Sequence, residues 1–234
     1  MLRTVIVTGS ASGLGKATAL QLLAAGYRVI GIDVQPPSAD CLEQEHFLSI
    51  TADLGSDDFE PLVVQLIQSY GYYALIHCAA ISHGGRLDSV TDEEWSRSMD
   101  VNLTSAFKLC RMADTYMVDG GRIILVNSPV SLLGANKPSY AASKAGLHGL
   151  MMSVSRHLGK RQIQANIIFP GPMITGMTDD WPEEKRSSIA ASTHFGRLCL
   201  PEDVANVIEF MVGPSCTFLT ASVIDMTSGS MFGH

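Results

Sequence analysis

Between Asn127 and Lys144 the chain reads NSPVSLLGANKPSYAASK, eighteen residues that hold Ser128, Ser131, Ser139, Ser143, Tyr140 and Lys144. Hydroxyls this dense serve turns, or they serve catalysis. Tyr140 and Lys144 lie four positions apart, so on a helix they share one face, a turn from each other. A phenol with its ordinary pKa of about 10 is a poor acid/base group at neutral pH. A neighbouring ammonium favours the phenolate and lowers that value, which makes Tyr140 a usable general acid/base. Ser139 and Ser143 read as ordinary helix-start and helix-face hydroxyls.

A second group of residues offers a place for an anion. Thr8-Gly9-Ser10-Ala11-Ser12-Gly13-Leu14-Gly15 follows a short β-branched run and opens an amphipathic segment. Gly9 permits a tight turn, Gly13 lets backbone approach a pyrophosphate, and Gly15 lets the helix pack close to the sheet. The N–H groups of a helix start, together with its dipole, favour a phosphate. Asp33 comes eighteen residues after Gly15, at the end of VIGID. A carboxylate there accepts from the hydroxyls of an adenosine ribose and repels a 2′-phosphate, so NAD(H) is expected over NADP(H).

The elements that must position these groups are legible as a pattern. Strands are expected at Thr4–Val7, Arg28–Ile32, Phe47–Ala52, Ala74–Cys78, Arg122–Val126, Gln164–Phe169 and Ser222–Asp225. Runs such as VIV and IILV are apolar throughout, as in strands buried on both faces. Between them, Leu62, Val63, Leu66 and Ile67, and again Val204, Val207, Ile208 and Met211, recur at helical spacing. The alternation predicts an α/β fold: one Rossmann-like, doubly wound, mostly seven-stranded parallel sheet with helices on both faces. Pro36 and Pro37 mark a loop, and too little chain follows before His46 for a full helix. No composition break divides residues 1–234, so a single domain is expected.

With 46% apolar and 17% charged residues the chain can bury a large core, and disorder is excluded. Its formal charge of −7 is scattered, and no basic stripe invites nucleic acid. The five cysteines form no CxxC pair, so reduced thiols in the cytoplasm are expected. The opening MLRTVIVTGS lacks the features of a signal peptide, and no apolar run reaches the ~18 residues of a membrane span. The histidines form no metal-binding motif, and no metal is expected.

TGxxxGxG after the first strand, together with Tyr140-Ala-Ala-Ser-Lys144, resembles the short-chain dehydrogenase/reductase family over essentially the whole chain. Asp53-Leu54 resembles its adenine-contacting acid, and Asn102 in MDVNLTSAF its helix asparagine. Pro170-Gly171-Pro172-Met173-Ile174-Thr175 resembles its nicotinamide-side loop, and GRLCLPEDVANVIEFM its C-terminal helix entry. The resemblance implies hydride transfer between NAD(H) and a secondary alcohol/carbonyl pair. It assigns Asn102, Ser128, Tyr140 and Lys144 to catalysis. Gly9, Ser12, Gly13, Leu14, Gly15, Asp33, Asp53, Leu54, Ala79, Tyr140, Lys144, Pro170, Gly171, Met173 and Thr175 become cofactor contacts. The resemblance further implies that Lys144 hydrogen-bonds the nicotinamide ribose and that Asn102 holds a water linking Lys144 to solvent.

Two departures from the family pattern, and the character of the tail, bear on function. The catalytic serine normally stands thirteen positions before the tyrosine, where this chain has Asn127; matching SLLG to the usual GLVG places Ser128 instead, twelve positions before Tyr140. The shortening then falls in ANKPS, and Ser131 is expected beside the substrate. Strand four ends in His77-Cys78-Ala79-Ala80 rather than Asn-Asn-Ala-Gly, which removes amides that brace the sheet, and His77 is expected as a core histidine. The tail DMTSGSMFGH resembles β-ketoacyl carrier-protein reductases, which generally use NADPH, so a β-ketoacyl-thioester substrate is an alternative. A catalytically weak dinucleotide- or ligand-binding regulator is the alternative of another class. Residues 177–193, with Trp181, are expected as a short lid. The small residues of the helix from Ala141 to Leu158 fit a subunit interface of a homo-oligomer, a tetramer or dimer.

Overall fold

The computed structural model describes residues 2–174, 178 and 181–231. Among them, seven strands form one sheet in the order β3-β2-β1-β4-β5-β6-β7, every pairing parallel. They are β1 (Thr4–Thr8), β2 (Arg28–Asp33), β3 (Phe47–Thr51), β4 (Ala74–His77), β5 (Arg122–Val126), β6 (Gln164–Pro170) and β7 (Val223–Met226). Each expected strand is present, with ends displaced by a residue or so. The helices are α1 (Gly13–Ala24), α2 (Ala39–Leu42), α3 (Phe59–Tyr70), α4 (Asp92–Met99), α5 (Ser105–Tyr116), α6 (Val130–Leu133), α7 (Pro138–Leu158), α8 (Glu183–Ala191) and α9 (Pro201–Val212). The stretch after Pro37 holds only the single turn of α2, as its length requires.

The sheet separates two cores. Ile6, Ile30, Leu75, Ile123, Leu125, Ile167 and Phe169 face α3, α5 and α7, whereas Val5, Val7, Val29, Ile76, Ile124 and Ile168 face α1 and α9. Neighbouring strand residues point to opposite faces, and here both faces are covered. That is why these strands read as unbroken apolar runs. The helical spacings hold with one adjustment: Val63 and Ile67 of α3 are buried, while Leu62 is exposed.

Chain order reverses between β1 and β4, which are paired neighbours. At such a switch point the loops leave in opposite directions and open a crevice beyond the strands' C-terminal ends. Among the described residues, Thr8, Asp33, His77, Val126 and Pro170 end the strands β1, β2, β4, β5 and β6 at that side of the sheet. Among the described residues no helix is long and apolar enough to cross a membrane.

Candidate active site

The first wall of the crevice is the turn from β1 into α1. Gly9 takes φ 69° and Gly13 φ 51°, left-handed values that favour glycine. Gly9 donates its N–H to Ile32 O at 2.8 Å, and a Cβ on it would stand 3.0 Å from the Cα and N of Ala79. A Cβ on Gly15 would overlap the Gly9 carbonyl. Gly15 therefore packs the helix onto the turn itself. Ser12 sits at the N-cap of α1, yet its side chain accepts no capping bond. The first N–H groups of α1, which a helix cannot satisfy internally, remain for an anion. Asp33, at the end of β2, accepts from Ala11 N–H through Oδ2 and from Gln35 N–H through Oδ1, each at 2.9 Å. Asp33 thus braces the glycine turn, a role its position in the sequence did not reveal.

Thr8 ties β1 to β4. Its hydroxyl accepts from Ala79 N–H at 3.0 Å and bonds His77 Nδ1 at 3.0 Å. A hydroxyl has one proton and two lone pairs, so it can receive that N–H and still bond the imidazole, in the direction the ring tautomer sets. The expected loss of bracing at His77 is thereby corrected: the imidazole supplies a bond in place of the amide. His77 is fully buried, as expected of a core histidine, and burial followed by the Lys144 charge pushes it down to about 3, so it stays neutral. Ala79 keeps its seat, its N–H donated to the Thr8 hydroxyl.

The opposite wall comes from β5, α6 and α7. Asn127 continues the ladder through its N–H to Ile168 O and points inward; Ser128, one residue on, is half-buried at the strand end. Pro138 starts α7, and its buried face carries Ser139, Ser143, Lys144, Leu147 and Met151. Burial raises the Tyr140 phenol, and a hydrogen bond from the Ser128 hydroxyl partly offsets the rise. Ser128, twelve positions before the tyrosine, is therefore the serine that meets it. Of the shortened segment ANKPS, Ala135 to Lys137 are exposed and only Pro138 and Ser139 enter α7, so the surface part of the loop can absorb a deletion. Ser131 stands in α6, and its hydroxyl has no partner among the described residues.

Lys144 is buried beneath the phenol, its Nζ 5.9 Å from the Tyr140 ring centroid and donating to Val126 O at 2.8 Å. Burial brings the ammonium down to about 8, and Cys78 beside it offsets part of that fall. The Cys78 thiol is pushed up to about 12 by burial and remains protonated. The expectation that Lys144 lowers the phenol needs correction for the protein alone. Burial dominates both groups, favouring neutral phenol and easing loss of the ammonium proton.

Asn102 lies in a π-helical turn, Asp100–Thr104, that joins α4 to α5. Its Oδ1 accepts from Ile81 N–H at 2.8 Å, and its Nδ2 donates to Ile81 O at 2.9 Å and to Ser143 Oγ at 3.0 Å. The side chain holds the segment after β4 against α7 at Ser143, between Tyr140 and Lys144. Ser143 in turn donates to Tyr140 O at 2.9 Å, which is helix-face chemistry as expected.

The remaining predicted contacts divide. A Cβ on Gly171 would stand 3.0 Å from Met226 O, so the loop after Pro170 runs tightly against β7. Met173 is buried and bridges Cys199. Thr175 lies outside the described residues, as do residues 177, 179 and 180 of the expected lid. Helix α8 follows and buries none of its residues, with Lys185 Nζ 4.2 Å over the ring of Trp181. Leu54 is a core residue rather than an open contact, while Asp53 is part-exposed and bonded to Gly55 N–H and Arg97. Thr8 and Arg97 escaped the sequence reading because their partners lie 69 and 44 positions away.

Unfilled N–H groups, glycine clearance beside Ala79, a carboxylate at one end and a phenol–lysine pair at the other fit an elongated dinucleotide. Comparison with known proteins agrees. The family model described as enoyl-(acyl carrier protein) reductase matches residues 9–230. The chain is 32% identical over 241 residues to the 3-oxoacyl-(acyl-carrier-protein) reductase FabG of Thermotoga maritima, covering 97% of each. It is 29% identical to the (3R)-3-hydroxyacyl-CoA dehydrogenase of Rattus norvegicus, covering 96% of this chain and 94% of that one. A solved short chain dehydrogenase from Burkholderia cenocepacia, in complex with NADP, superposes with a TM-score of 0.88 at 26% identity, covering 97% of each. On the strength of its sheet order, its glycine turn, its Tyr140–Lys144 pair and these matches, the chain belongs to the short-chain dehydrogenase/reductase family of oxidoreductases.

Proposed function

We propose that the protein is an NAD(H)-preferring dehydrogenase/reductase of a secondary alcohol/carbonyl pair, with 3-hydroxyacyl and 3-oxoacyl thioesters as the substrate class to test first. The observation that carries the reaction is the convergence of the Ser128 hydroxyl, the Tyr140 phenol and the buried Lys144. Ser128 holds the substrate oxygen. In the reducing direction Tyr140 gives its proton to that oxygen as the carbonyl becomes an alcohol; in the oxidising direction it takes the proton back. Lys144 hydrogen-bonds the nicotinamide ribose and, when charged, favours the phenolate that remains. Asn102 positions α7 through Ser143. The nicotinamide, when bound, supplies the hydride chemistry; the protein contributes orientation and electrostatics.

Asp33 supports the choice of NAD(H): a carboxylate pinned by two N–H groups at the ribose end repels a 2′-phosphate. The structural neighbour bound to NADP keeps the other cofactor as the comparison arm. The names of the two curated relatives support the acyl-thioester class. The same reading assigns Gly9, Ser12, Gly13, Leu14 and Gly15 to the pyrophosphate, and Asp53 to the adenine. Ala79, Pro170, Gly171, Met173 and Thr175 flank the nicotinamide side. It includes a cytoplasmic homo-oligomer. Gly146 packs internally against Leu103, whereas a Cβ at Gly149 would meet nothing within 4 Å, leaving that side of α7 for a neighbouring subunit.

The deciding experiment is a screen of alcohols, ketones and 3-oxoacyl thioesters with NADH and NADPH in parallel, read by absorbance of the reduced cofactor. Turnover of a thioester faster with NADH is expected. Silence across the screen despite cofactor binding would return the regulatory alternative, and faster turnover with NADPH would reverse the cofactor assignment.

A further inference from the structure

Asp53 stands in the turn after β3, with Leu54 buried in the core beneath it. Its Oδ1 accepts twice: from Gly55 N–H at 2.8 Å and from Arg97 Nη2 at 2.9 Å. Arg97 comes from α4, forty-four positions along the chain. The approach is built into the fold. A Cβ on Gly55 would overlap the Arg97 guanidinium and stand 3.1 Å from Val101, so glycine is what lets the cation reach the turn. The two side chains keep 39% and 43% of their surface, which leaves the carboxylate accessible to a ligand.

We propose that Arg97 is a positioning residue for the adenine end of the dinucleotide: by holding Oδ1 of Asp53 it presents Oδ2 as an acceptor for the 6-amino group of the base, so that the site selects adenine over a 6-oxo purine. This rests on the dinucleotide reading above. An ionised carboxylate only accepts hydrogen bonds. Adenine offers a 6-amino donor there, whereas hypoxanthine offers an oxygen and sets acceptor against acceptor, a repulsive element that discriminates. The Arg97 hydrogen bond holds the Asp53 carboxyl below its ordinary value, with burial opposing and the Gly55 N–H assisting, so the acceptor is charged across the working pH range. A guanidinium suits the task, being always charged and planar. The same rod, α4 into the π-turn, carries Asn102 five residues on, so the adenine-side support and the catalytic brace share one element.

The test needs binding alone. Dissociation constants are measured for ADP-ribose, which lacks nicotinamide, and for reduced nicotinamide mononucleotide, which lacks adenosine. NADH and its hypoxanthine counterpart complete the set. In Arg97→Met, affinity for ADP-ribose and NADH should fall about fivefold, the scale of one part-exposed ion pair. The mononucleotide should bind as before, and the preference for adenine over hypoxanthine should shrink toward unity, with Arg97→Lys keeping part of it. Unchanged ADP-ribose affinity, an unchanged base preference, or an equal loss for the mononucleotide each overturns the proposal, the last by exposing a general loosening. Should Arg97→Met not fold, Asp53→Asn keeps the shape and removes the charge; an unaltered base preference there overturns it too. A wild-type protein that binds neither ADP-ribose nor NADH overturns the dinucleotide reading and the Arg97 role with it.

Discussion

At the Tyr140 end of the crevice Lys144 is fully buried beneath a half-buried Tyr140 and Ser128, whereas the Asp33–Asp53 end has part-exposed carboxylates held by backbone N–H groups and one arginine. The physical consequences run in opposite directions. Burial penalises charge, so Lys144 falls to about 8 while the Tyr140 phenol rises. Asp53 instead keeps its charge, because hydrogen bonds to an anion favour the anion. One end is poised to exchange protons; the other presents fixed negative charge. On the proposed function, chemistry and selectivity fall in different dielectric surroundings along one ligand.

The strongest blow to that contrast falls on the proton-exchanging end. Tyr140→Phe should lower kcat by about 10³-fold, within the span general acid/base groups supply, while NADH binding by fluorescence stays near wild type. Full turnover in that variant would sink the catalytic assignment.

Lys144→Met separates burial from catalysis. The Lys144 pKa is about 8 in the folded chain against an ordinary 10.5. Between those values the unfolded chain holds a proton that the folded chain has released, so wild-type stability should rise with pH across this window and be least favoured below it. The stability difference, wild type minus variant, should grow by about 3 kcal/mol from pH 8 to pH 10.5, read by urea unfolding at stepped pH. A flat difference would mean that Lys144 is not strained by burial.

Ser128→Ala should reduce kcat/KM by ~10²-fold, the loss of one hydrogen bond aimed at the substrate oxygen, with Ser131→Ala close to wild type. The reverse order of effects would move the serine role to α6. At the selective end the expected change is smaller. Asp33→Ser should erode the NADH-over-NADPH preference by about tenfold in kcat/KM, one unit of affinity ratio. A variant with unchanged preference would leave some other group in charge of the 2′ position.

Much of this fold is written locally. The seven strands are legible because a strand covered on both faces must be apolar throughout, and an i, i+4 pair must share a helix face. Ser128 was legible only by matching SLLG to the family's GLVG, since the usual spacing falls on Asn127; the geometry that favours it is the alternation of side chains at the end of β5, Asn127 buried and Ser128 half-buried. The Thr8–His77 bond was not legible: a histidine in place of an asparagine reads as a lost amide until the sheet sets β1 beside β4 and aims a hydroxyl at the imidazole. The three bonds of Asn102 and the Arg97–Asp53 pair were hidden for the same reason.

From the order of residues alone follow the alternating elements, the glycine turn, the phenol–lysine pair and the acid after the second strand, because each depends on neighbours within a turn or a strand. Folding decided which serine meets Tyr140, that burial shifts Tyr140 and Lys144 as it does, and that Asp33 and Asp53 are pinned rather than loose. Those outcomes depend on groups tens of residues apart, on how much water is excluded between them, and on where unsatisfied N–H groups find an acceptor. Such quantities exist only once the chain has packed.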